Sequence, residues 1–411
     1  MVRRHPGSLA RRILLADADA FFVAVARLVD PEGAGREPLL IVGGTRESRG
    51  VVCSASYETR KYGVRSAMPI SRALRLCPNA VCVPVPRKAC SEKHREIRAV
   101  LERHAPAVEG ASIDEWYLDL GGTEELYHDE ALADTAARIR REVIRETGIM
   151  VSFGGGTSKL IAKLAVEHAK PRPGNSATGV HVVPAGGEAA FMAGIMLAEI
   201  PLVGPRFQER LARLGMRSVP DVLQYDQATL AQWLGEREAA WLHRRVRGID
   251  ESAVEPRLDA RSISRDETFG LDIDDEAELD RELLALVTRA AGDLRGDGLA
   301  ARTVTVKIRD WDFRTRQASR TLDRAVIADR VILEVAHGLL RRLRADRRVP
   351  ARLLGVALSS LAADADADQL TLFEAIDSRL VETERDRTVA RVVDRVRARF
   401  GDKGILPGGL V

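Results

Sequence analysis

Apolar and polar positions follow two different periods along the chain. Between residues 10 and 180, short apolar runs such as RILLADADAFF, PLLIVGG and MVSFGGG are separated by amphipathic stretches such as SEKHREIRAVLERH and ALADTAARIRREVIRETG. The short runs have the length of strands, and the amphipathic stretches have the period of helices. This mixture predicts an α+β or α/β region.

The second half of the chain predicts two further regions. From about residue 186 to residue 250 the pattern is almost wholly helical, with turn signals at LVGPR and RLGM. After the charged connector DESAVEPRLDA, a mixed region contains TVTVKIRDWDF, in which apolar and polar residues alternate: Val304, Val306 and Ile308 against Thr305, Lys307 and Arg309. Period two predicts a strand with one apolar and one basic face. The low-complexity run AADADAD precedes a final helix with apolar residues on one face: Val389, Val392, Val393, Val396 and Phe400.

Composition adds bounds to this picture. At 411 residues, with 45% hydrophobic and 30% charged residues, the chain is expected to form several domains with separate cores. No apolar run approaches the roughly 20 residues that span a bilayer. Asp17 and Asp19 interrupt the N-terminal apolar stretch, so no secretory signal is expected and the cytoplasm is the expected compartment.

The four cysteines have no CxxC spacing: Cys53, Cys77, Cys82 and Cys90. We expect these cysteines to be buried or half-buried and to carry no chemistry.

Charge alone identifies no partner. The formal net charge is only +3, which does not by itself indicate a nucleic-acid ligand. The positive residues are mostly arginine, whose planar guanidinium suits phosphate. A compositional bias of the genome would give the same excess, so the argument depends on where the arginines cluster.

Two pairs of acids stand inside apolar runs. Asp17 and Asp19 lie two residues apart in LLADADAFF, and Asp114 and Glu115 are adjacent in ASIDEWYLDLGG. Neighbouring side chains of a strand point to opposite faces, so Asp114 and Glu115 can act together only where the backbone bends, as at a hairpin tip. Acids at the end of a buried strand are costly unless they are paired or bind a metal.

Carboxylates that converge from two strands suit Mg²⁺ or Mn²⁺, which prefer oxygen ligands. Two such ions about 3.5–4 Å apart would support an in-line phosphoryl transfer. The alternative is that the acids cap turns and form surface salt bridges. The residues by themselves leave both interpretations open for Asp114 and Glu115.

The segment IVGGTRESRGVVCSASYETRKYGVRSAMPISRALRLCP, together with DADAFF and SIDEWYLD, resembles the Y-family DNA polymerases of the DNA polymerase IV branch. The resemblance covers about residues 12 to 360 in order. It implies an α+β right hand with palm, fingers, helical thumb and a C-terminal little finger. The implied divisions are palm 1–20 and 87–175, fingers 21–86, thumb 176–248, linker 249–260, little finger 261–362, and a tail at 363–411.

The resemblance also implies an activity and a metal centre. The activity is template-directed addition of deoxynucleotides with low fidelity, including translesion synthesis, and no proofreading exonuclease is expected. Asp17, Asp114 and Glu115 match the catalytic, metal-binding acids, with the carbonyl of Ala18 assisting. The implied cofactor is a pair of Mg²⁺ ions, with Mn²⁺ as an alternative. Asp19 is expected outside the set of ligands.

Further residues match the family's nucleotide-binding positions. Tyr57 and Arg60 in ASYETRK, and Lys159 in TSKLIAKLA, match residues that hold the incoming triphosphate. Phe22 matches the steric gate, whose ring fills the space that a ribose 2′-hydroxyl would need, and Phe21 is expected in the core. Core packing for Tyr57 and solvated charge for the two cations are the alternatives.

The resemblance has departures as well as matches. Trp116 stands where a small residue is common, and Leu202 stands where the thumb turn often has glycine. Val51 and Cys53 match positions over the nascent base pair, where small residues would leave room for a damaged template base.

Contacts to the DNA backbone are expected in two places. In the thumb, the amides of Val203 and Gly204, with Arg206 nearby, are expected to meet a duplex phosphate at a helix N-terminus, and a plain turn between helices is the alternative. In the little finger, a basic group is expected to follow the phosphates without reading bases: Lys307, Arg309, Arg314, Arg316 and Arg320.

The segment QLTLF, residues 369–373, resembles the pentapeptide that docks these polymerases onto the sliding clamp. Its contact residues would be Gln369, Leu370, Leu372 and Phe373, and a local packing patch is the alternative. The expected partners are primer–template DNA, deoxynucleoside triphosphates and the clamp, with no membrane, and the protein is expected to be a monomer.

Two rival functions share some of these features. A catalytically inactive Y-family-like adaptor would bind DNA and clamp only, and the retained acids argue against it. A palm-fold nucleotidyl cyclase or another metal-dependent phosphotransferase would share the acids but would not need a thumb, little finger or clamp peptide.

Overall fold

The computed structural model describes residues 11–45, 49–128, 130–171, 176–256, 260–364, 380–401 and 404–410. The chain divides into two compact units, within residues 1–257 and 258–411. The division falls inside the predicted linker, although the other predicted domain boundaries stay predictions. Within the described ranges, every helix is too short or too polar to cross a membrane.

The first unit begins with alternating strands and helices. In chain order these are β1 (Ile13–Ala18), α1 (Phe21–Val29), β2 (Leu40–Gly43), β3 (Val52–Ala55), α2 (Tyr57–Arg60), α3 (Ile70–Leu76), β4 (Val81–Val83), α4 (Arg87–Glu102), β5 (Ala107–Gly110), β6 (Glu115–Asp119), α5 (Leu132–Thr147), β7 (Val151–Gly156), α6 (Lys159–Ala169) and β8 (Val180–Val182). Five helices follow: α7 (Glu188–Ala193), α8 (Pro205–Arg213), α9 (Val219–Leu223), α10 (Gln227–Leu234) and α11 (Glu236–Arg245).

A five-stranded sheet of order β5-β6-β1-β7-β8 forms the centre of this unit. β1 is antiparallel to both of its neighbours, and all six of its residues are buried. The apolar faces of α4 and α5 pack on the sheet in a core that includes Leu14, Trp116 and Phe153. The strand that carries Asp17 is therefore fixed from both edges and both faces.

A smaller sheet and a helical region complete the first unit. The small sheet has the order β3-β2-β4, and its core contains Ile41 and Ile70. The helices α7 to α11 enclose a separate core around Leu211, Val222 and Leu242, which confirms the predicted helical segment.

The second unit contains β9 (Ser262–Ile273), α12 (Glu276–Gly296), β10 (Leu299–Asp310), β11 (Thr315–Val326), α13 (Asp329–Asp346), β12 (Ala351–Ala363) and α14 (Glu384–Phe400). Its sheet has the order β11-β10-β12-β9 with every neighbour antiparallel. Val304, Val306 and Ile308 are fully buried in a core with α12 and α13. The predicted period-two alternation is thereby confirmed.

One expectation, that for the cysteines, needs correction here. Cys53 is exposed, whereas Cys77 and Cys90 are buried and Cys82 is half-buried. The predicted final helix is present as α14, but its apolar face is largely open: the side chains of Val389 and Phe400 are 54% and 68% exposed. Ion pairs attach this helix instead, and both its acids and its arginines take part: Asp394 pairs with Arg295 at 2.5 Å, and Arg387 pairs with Asp364 at 3.1 Å.

Candidate active site

The three predicted acids lie together at one end of β1 and β6. β5 and β6 are antiparallel, and the chain bends between them at residues 112–114. Asp114 is the last residue of the bend and Glu115 is the first of β6. Across the sheet, Glu115 is the direct partner of Asp17, and the amide of Ala18 donates to the carbonyl of Asp114 at 2.9 Å. The bend expected from the sequence therefore brings the acids to one place.

Trp116 helps to hold this bend. Its indole is fully buried and stacks on the imidazole of His94 at 5.0 Å between ring centroids. His94 Nδ1 in turn donates to the carbonyl of Ile113 at 2.9 Å. Within the described chain the indole Nε1 has no hydrogen-bond partner, which costs about 1–3 kcal/mol. The large residue at this position therefore acts as packing beneath the bend.

Burial dominates the electrostatics of Asp17. Asp17 is 6% exposed, and this desolvation raises the pKa of its carboxyl group to about 7, with the charge of Glu115 adding to the rise. Lys170 opposes the rise, since its Nζ donates to Asp17 Oδ2 at 2.9 Å. A buried acid of this kind is stabilised as an anion only by a nearby cation.

Glu115 also has a lysine partner, Lys163, whose Nζ lies 2.5 Å from Glu115 Oε1. Asp114 accepts a hydrogen bond from the hydroxyl of Ser112. Among the described side chains, no group of three acids, histidines or cysteines is placed to hold a metal ion as it stands. The donors nevertheless fit a hard divalent ion, because they are carboxylates and carbonyls with one anion buried. Such an ion would take the places that the lysines now hold.

Asp19 lies beyond the end of β1 and has a different environment. Ser152 of β7 donates to its carboxylate at 3.0 Å. Burial raises the pKa of Asp19, and the Ser152 hydrogen bond opposes that rise. Its hydrogen bond thus goes to the neighbouring strand rather than to the lysine that Asp17 binds.

Phe21 and Phe22 open helix α1 with different surroundings. Phe21 is 1% exposed and belongs to the core, as expected, whereas Phe22 is half-buried. The two rings meet edge to face with 5.7 Å between centroids. Phe22 lies four residues after the end of β1, so the strand end that positions Asp17 also positions Phe22.

Tyr57 and Arg60 occupy the single turn of α2. The Arg60 guanidinium lies 5.0 Å from the centroid of the Tyr57 ring, and Arg60 Nε donates to the carbonyl of Ala55 at 2.9 Å. Burial raises the pKa of the Tyr57 hydroxyl, and the nearby carboxylates of Asp19 and Asp17 add to the rise. The charges of these acids therefore reach the Tyr57 hydroxyl.

The lysines of α6 correct one expectation. Lys159 Nζ donates to both carboxylate oxygens of Glu109 at 2.7 Å and lies 4.7 Å from the centroid of the Tyr117 ring. The lysines that bind the acids are Lys163 and Lys170, which the sequence interpretation missed. Their spacing of four and eleven residues from Lys159 was the available signal, because such spacings recur on nearby faces of one helix.

The thumb turn has the backbone that glycine usually provides. Leu202 has φ of +74° and is 83% exposed. The amide of Val203 donates to the carbonyl of Ile200 at 3.1 Å, so this amide is engaged within the turn, and its contact with a phosphate stays a prediction. Gly204 is the N-cap of α8, and Gly204 and Arg206 are exposed at that helix end.

In the second unit, the residues of the predicted basic group have different partners and different exposure. Lys307 Nζ pairs with Asp266 at 2.5 Å, Arg309 Nε donates to Thr315 at 2.9 Å, and Arg314 is exposed in the turn between β10 and β11. Arg320 is also exposed. Hydroxyl groups share the Lys307 face of the sheet, with Thr305 and Ser319 2.8 Å apart.

Arg316 corrects the expectation of a DNA contact. It lies opposite Ile308 on the apolar face, and its guanidinium binds both oxygens of Asp310. Asp310 is fully buried and also pairs with Arg347 at 2.5 Å. Arg316 is therefore a counter-ion of a buried carboxylate. The predicted clamp peptide at 369–373 lies outside the described residues.

Comparisons with known proteins agree with this architecture. A sequence model of the impB/mucB/samB family matches residues 16–167, its C-terminal domain matches residues 260–372, and a DNA polymerase-iota thumb domain matches residues 198–250. The chain is 40% identical to a DNA polymerase IV of Methanoculleus marisnigri, covering 86% of this chain and 95% of the relative. It is 39% identical to a DNA polymerase IV of Halorhodospira halophila, covering 85% and 95%.

Solved structures give the same result. A Y-family DNA polymerase chimera, Dbh-Dpo4(243-245)-Dbh, is 25% identical with a TM-score of 0.73, covering 85% of this chain and 98% of that one. DinB from Sulfolobus solfataricus is 26% identical with a TM-score of 0.57 over the same shares.

Proposed function

The chain belongs to the Y-family DNA polymerases, in the DNA polymerase IV branch, and on this premise we propose that Asp17, Asp114 and Glu115 form its catalytic centre. The protein is a DNA-directed DNA polymerase of low fidelity that acts in translesion synthesis, uses divalent metal ions, and binds DNA and nucleotide. The observation that supports the proposed centre is the cross-strand pair of Asp17 and Glu115 beside the bend at Asp114.

We propose that two Mg²⁺ ions bind at this centre, held by the three carboxylates and the carbonyl of Ala18. Ions bound there would favour ionisation of the primer hydroxyl and neutralise charge on the leaving pyrophosphate. The protein contributes the placement: β1 and β6 fix two acids in register, and the bend adds the third. Rigid backbone around the acids reduces the reorganisation needed at the moment of reaction.

The triphosphate side of the centre is proposed to consist of Tyr57, Arg60 and Lys170. The contact that supports Lys170 is its hydrogen bond to Asp17, because a cation beside a catalytic acid is within reach of a phosphate bound there. Lys159 was the predicted residue, but its ammonium group is held by Glu109. Phe22 is proposed as the steric gate that excludes a ribose 2′-hydroxyl, since its half-buried ring follows the same strand end.

We propose that Gly204 and Arg206 contact the duplex backbone in the first unit, and that Lys307, Arg309 and Arg314 do so in the second. Lys307 and Arg309 lie on one face of β10, where hydroxyl groups provide further donors to phosphate. Arg316 is excluded from this group, because its guanidinium is already bound to a buried acid.

Primer extension tests the proposed centre. Wild-type protein should extend a primer–template duplex with Mg²⁺ or Mn²⁺, and Asp114→Ala should lose this activity while keeping its thermal unfolding midpoint. Reactions with deoxynucleotides and with ribonucleotides report the steric gate in the same assay. Full activity of the Asp114→Ala protein would contradict the proposed centre.

We propose further that residues 369–373, QLTLF, bind the sliding clamp. We also propose that the polymerase is a monomer that acts in the cytoplasm. The support is the match to the clamp-docking pentapeptide in the sequence. Deletion of 369–373 should abolish stimulation by the clamp and spare basal synthesis. Equal stimulation of the truncated protein would remove this proposal.

A further inference from the structure

Helix α6 and its C-cap place one lysine on each of two catalytic acids. The ammonium group of Lys163 pairs with Glu115, and that of Lys170, seven residues later, pairs with Asp17. Seven residues are close to two helical turns, so both ammonium groups project from one side of the helix. The proposed nucleotide site uses Lys170 and leaves Lys163 without a function.

The pair of Lys163 and Glu115 differs from an ordinary surface salt bridge. Its side chains are 28% and 23% exposed, and Nζ lies 2.5 Å from Oε1. A partly buried pair is less screened than an exposed one. The backbone of Lys163 is also anchored, because Ala162 and Val166 pack against Ile13 and Leu15 of β1.

Glu115 needs a cation in the ion-free protein. It faces Asp17 directly across β1 and β6, and the Cα atoms of such partners are about 4.5–5.5 Å apart. Like charges so placed repel. Lys163 thus supplies the positive charge for Glu115, as Lys170 does for Asp17.

We propose that Lys163 is the resident counter-ion of Glu115, which holds this carboxylate in place until a divalent ion displaces the ammonium group. Lys163 is then a positioning residue that sets the affinity of the free enzyme for divalent ions. The inference rests on the proposed function, because it requires Glu115 to be an ion ligand.

Binding of Mn²⁺ to the full chain, without DNA or nucleotide, tests this inference by electron paramagnetic resonance. Lys163→Met should bind Mn²⁺ at least about five-fold more tightly than wild type, since the ion no longer competes with the salt bridge, and about five-fold corresponds to the stronger exposed pairs. Lys163→Arg keeps the cation and should bind as wild type does. Lys159→Met is the matched control on the same helix, because Lys159 pairs with Glu109 instead.

Thermal unfolding gives a second readout that does not depend on activity. Without ions, Lys163→Met should unfold at a lower temperature than wild type, because Glu115 then faces Asp17 without a cation of its own. Saturating Mn²⁺ should remove most of this difference. For Lys159→Met, any difference from wild type should be the same with and without Mn²⁺.

Equal or weaker Mn²⁺ binding by Lys163→Met would overturn the inference. Glu115→Gln separates this failure from failure of the proposed centre. If Glu115→Gln weakens Mn²⁺ binding but Lys163→Met does not tighten it, only the counter-ion role is wrong. If Glu115→Gln leaves Mn²⁺ binding unchanged, Glu115 is not a ligand, and the proposed centre fails together with the inference.

Discussion

Asp17 of β1 faces Glu115 of β6 across two hydrogen-bonded antiparallel strands, although 97 residues lie between them in the chain. The facing pair lies at the end of the sheet where β6 begins, next to the bend that carries Asp114. A one-residue slip of β6 would turn Glu115 to the opposite face. The register is thus the structural basis of the centre.

Replacing Glu115 by glutamine should lower the rate of primer extension by about 100-fold or more, comparable to loss of one preorganised electrostatic group. The amide keeps the shape of the side chain and removes the charge. Steady-state extension of one nucleotide measures the effect. Glu109→Gln is the control in the same hairpin, since Glu109 pairs with Lys159 away from the acids, and it should stay within a few-fold of wild type. Equal losses in both variants would contradict the specific role of Glu115.

The stability of the ion-free protein should depend on pH through Asp17. Its pKa is raised to about 7 in the folded protein by burial, so the folded state keeps a proton that the unfolded state loses near pH 4. Stability contributed by this proton is present at low pH and is lost as pH rises from about 4 to about 7, by linkage. Denaturation at pH 5, 6, 7 and 8 should show wild type losing stability relative to Asp17→Asn. A difference independent of pH would contradict this prediction.

Phe22→Ala should raise ribonucleotide incorporation relative to deoxynucleotide incorporation by about ten-fold or more, the effect of relieving a steric clash of at least about 1.4 kcal/mol. The half-buried ring of Phe22 can be removed without opening the core, whereas Phe21 is fully buried. Competing single-nucleotide extensions measure the ratio. Phe22→Leu keeps part of the bulk and should lie between the two. Unchanged discrimination in Phe22→Ala would exclude this residue as the gate.

The sequence predicted what depends on local pattern. The bend at Asp114, the apolar face of β10 and the helical segment that contains α7 to α11 follow from spacing and period. It did not predict which lysine of α6 meets the acids, because residues four and seven apart on a helix share a side and only packing against β1 decides among them. The sequence identified the acids of the proposed centre, and the structure was needed to identify the lysines that pair with them.

The face of the sheet on which Arg316 lies was not predicted, for a related reason. Period two assigns faces within one strand, but a strand beyond a turn takes its face from the pairing register. The turn between β10 and β11 sets Arg316 opposite Ile308 and Arg309 opposite Thr315. Two arginines close in sequence therefore lie on opposite faces of the sheet.

Leu202→Gly should increase the free energy of unfolding by up to about 1 kcal/mol, since a non-glycine residue at positive φ carries strain of about 1–2 kcal/mol and glycine loses part of that gain to chain entropy. Leu202 has φ of +74° and is 83% exposed, so little packing is lost. Chemical denaturation measures the change. Leu202→Ala retains the strain and should not stabilise the protein. A gain of the same size in Leu202→Ala would assign the effect to the exposed side chain instead of the backbone.

Arg316→Met and Arg309→Gln should have opposite effects: the first should lower stability, and the second should lower the salt dependence of DNA binding. Arg316→Met leaves Asp310 with one of its two guanidinium partners. Removing one partner of a buried ion pair costs about 3–5 kcal/mol of stability. Because Arg347 still pairs with Asp310, we expect a loss near the lower end of this range. Arg309→Gln removes a cation from the polar face and should leave stability unchanged while lowering the slope of log affinity against log salt by about 1. Denaturation and DNA binding at several salt concentrations measure the two effects. The double variant Asp310→Asn with Arg316→Met should recover part of the lost stability, because the buried charge goes with its partner. An altered salt slope without loss of stability in Arg316→Met would restore Arg316 to the DNA-binding group.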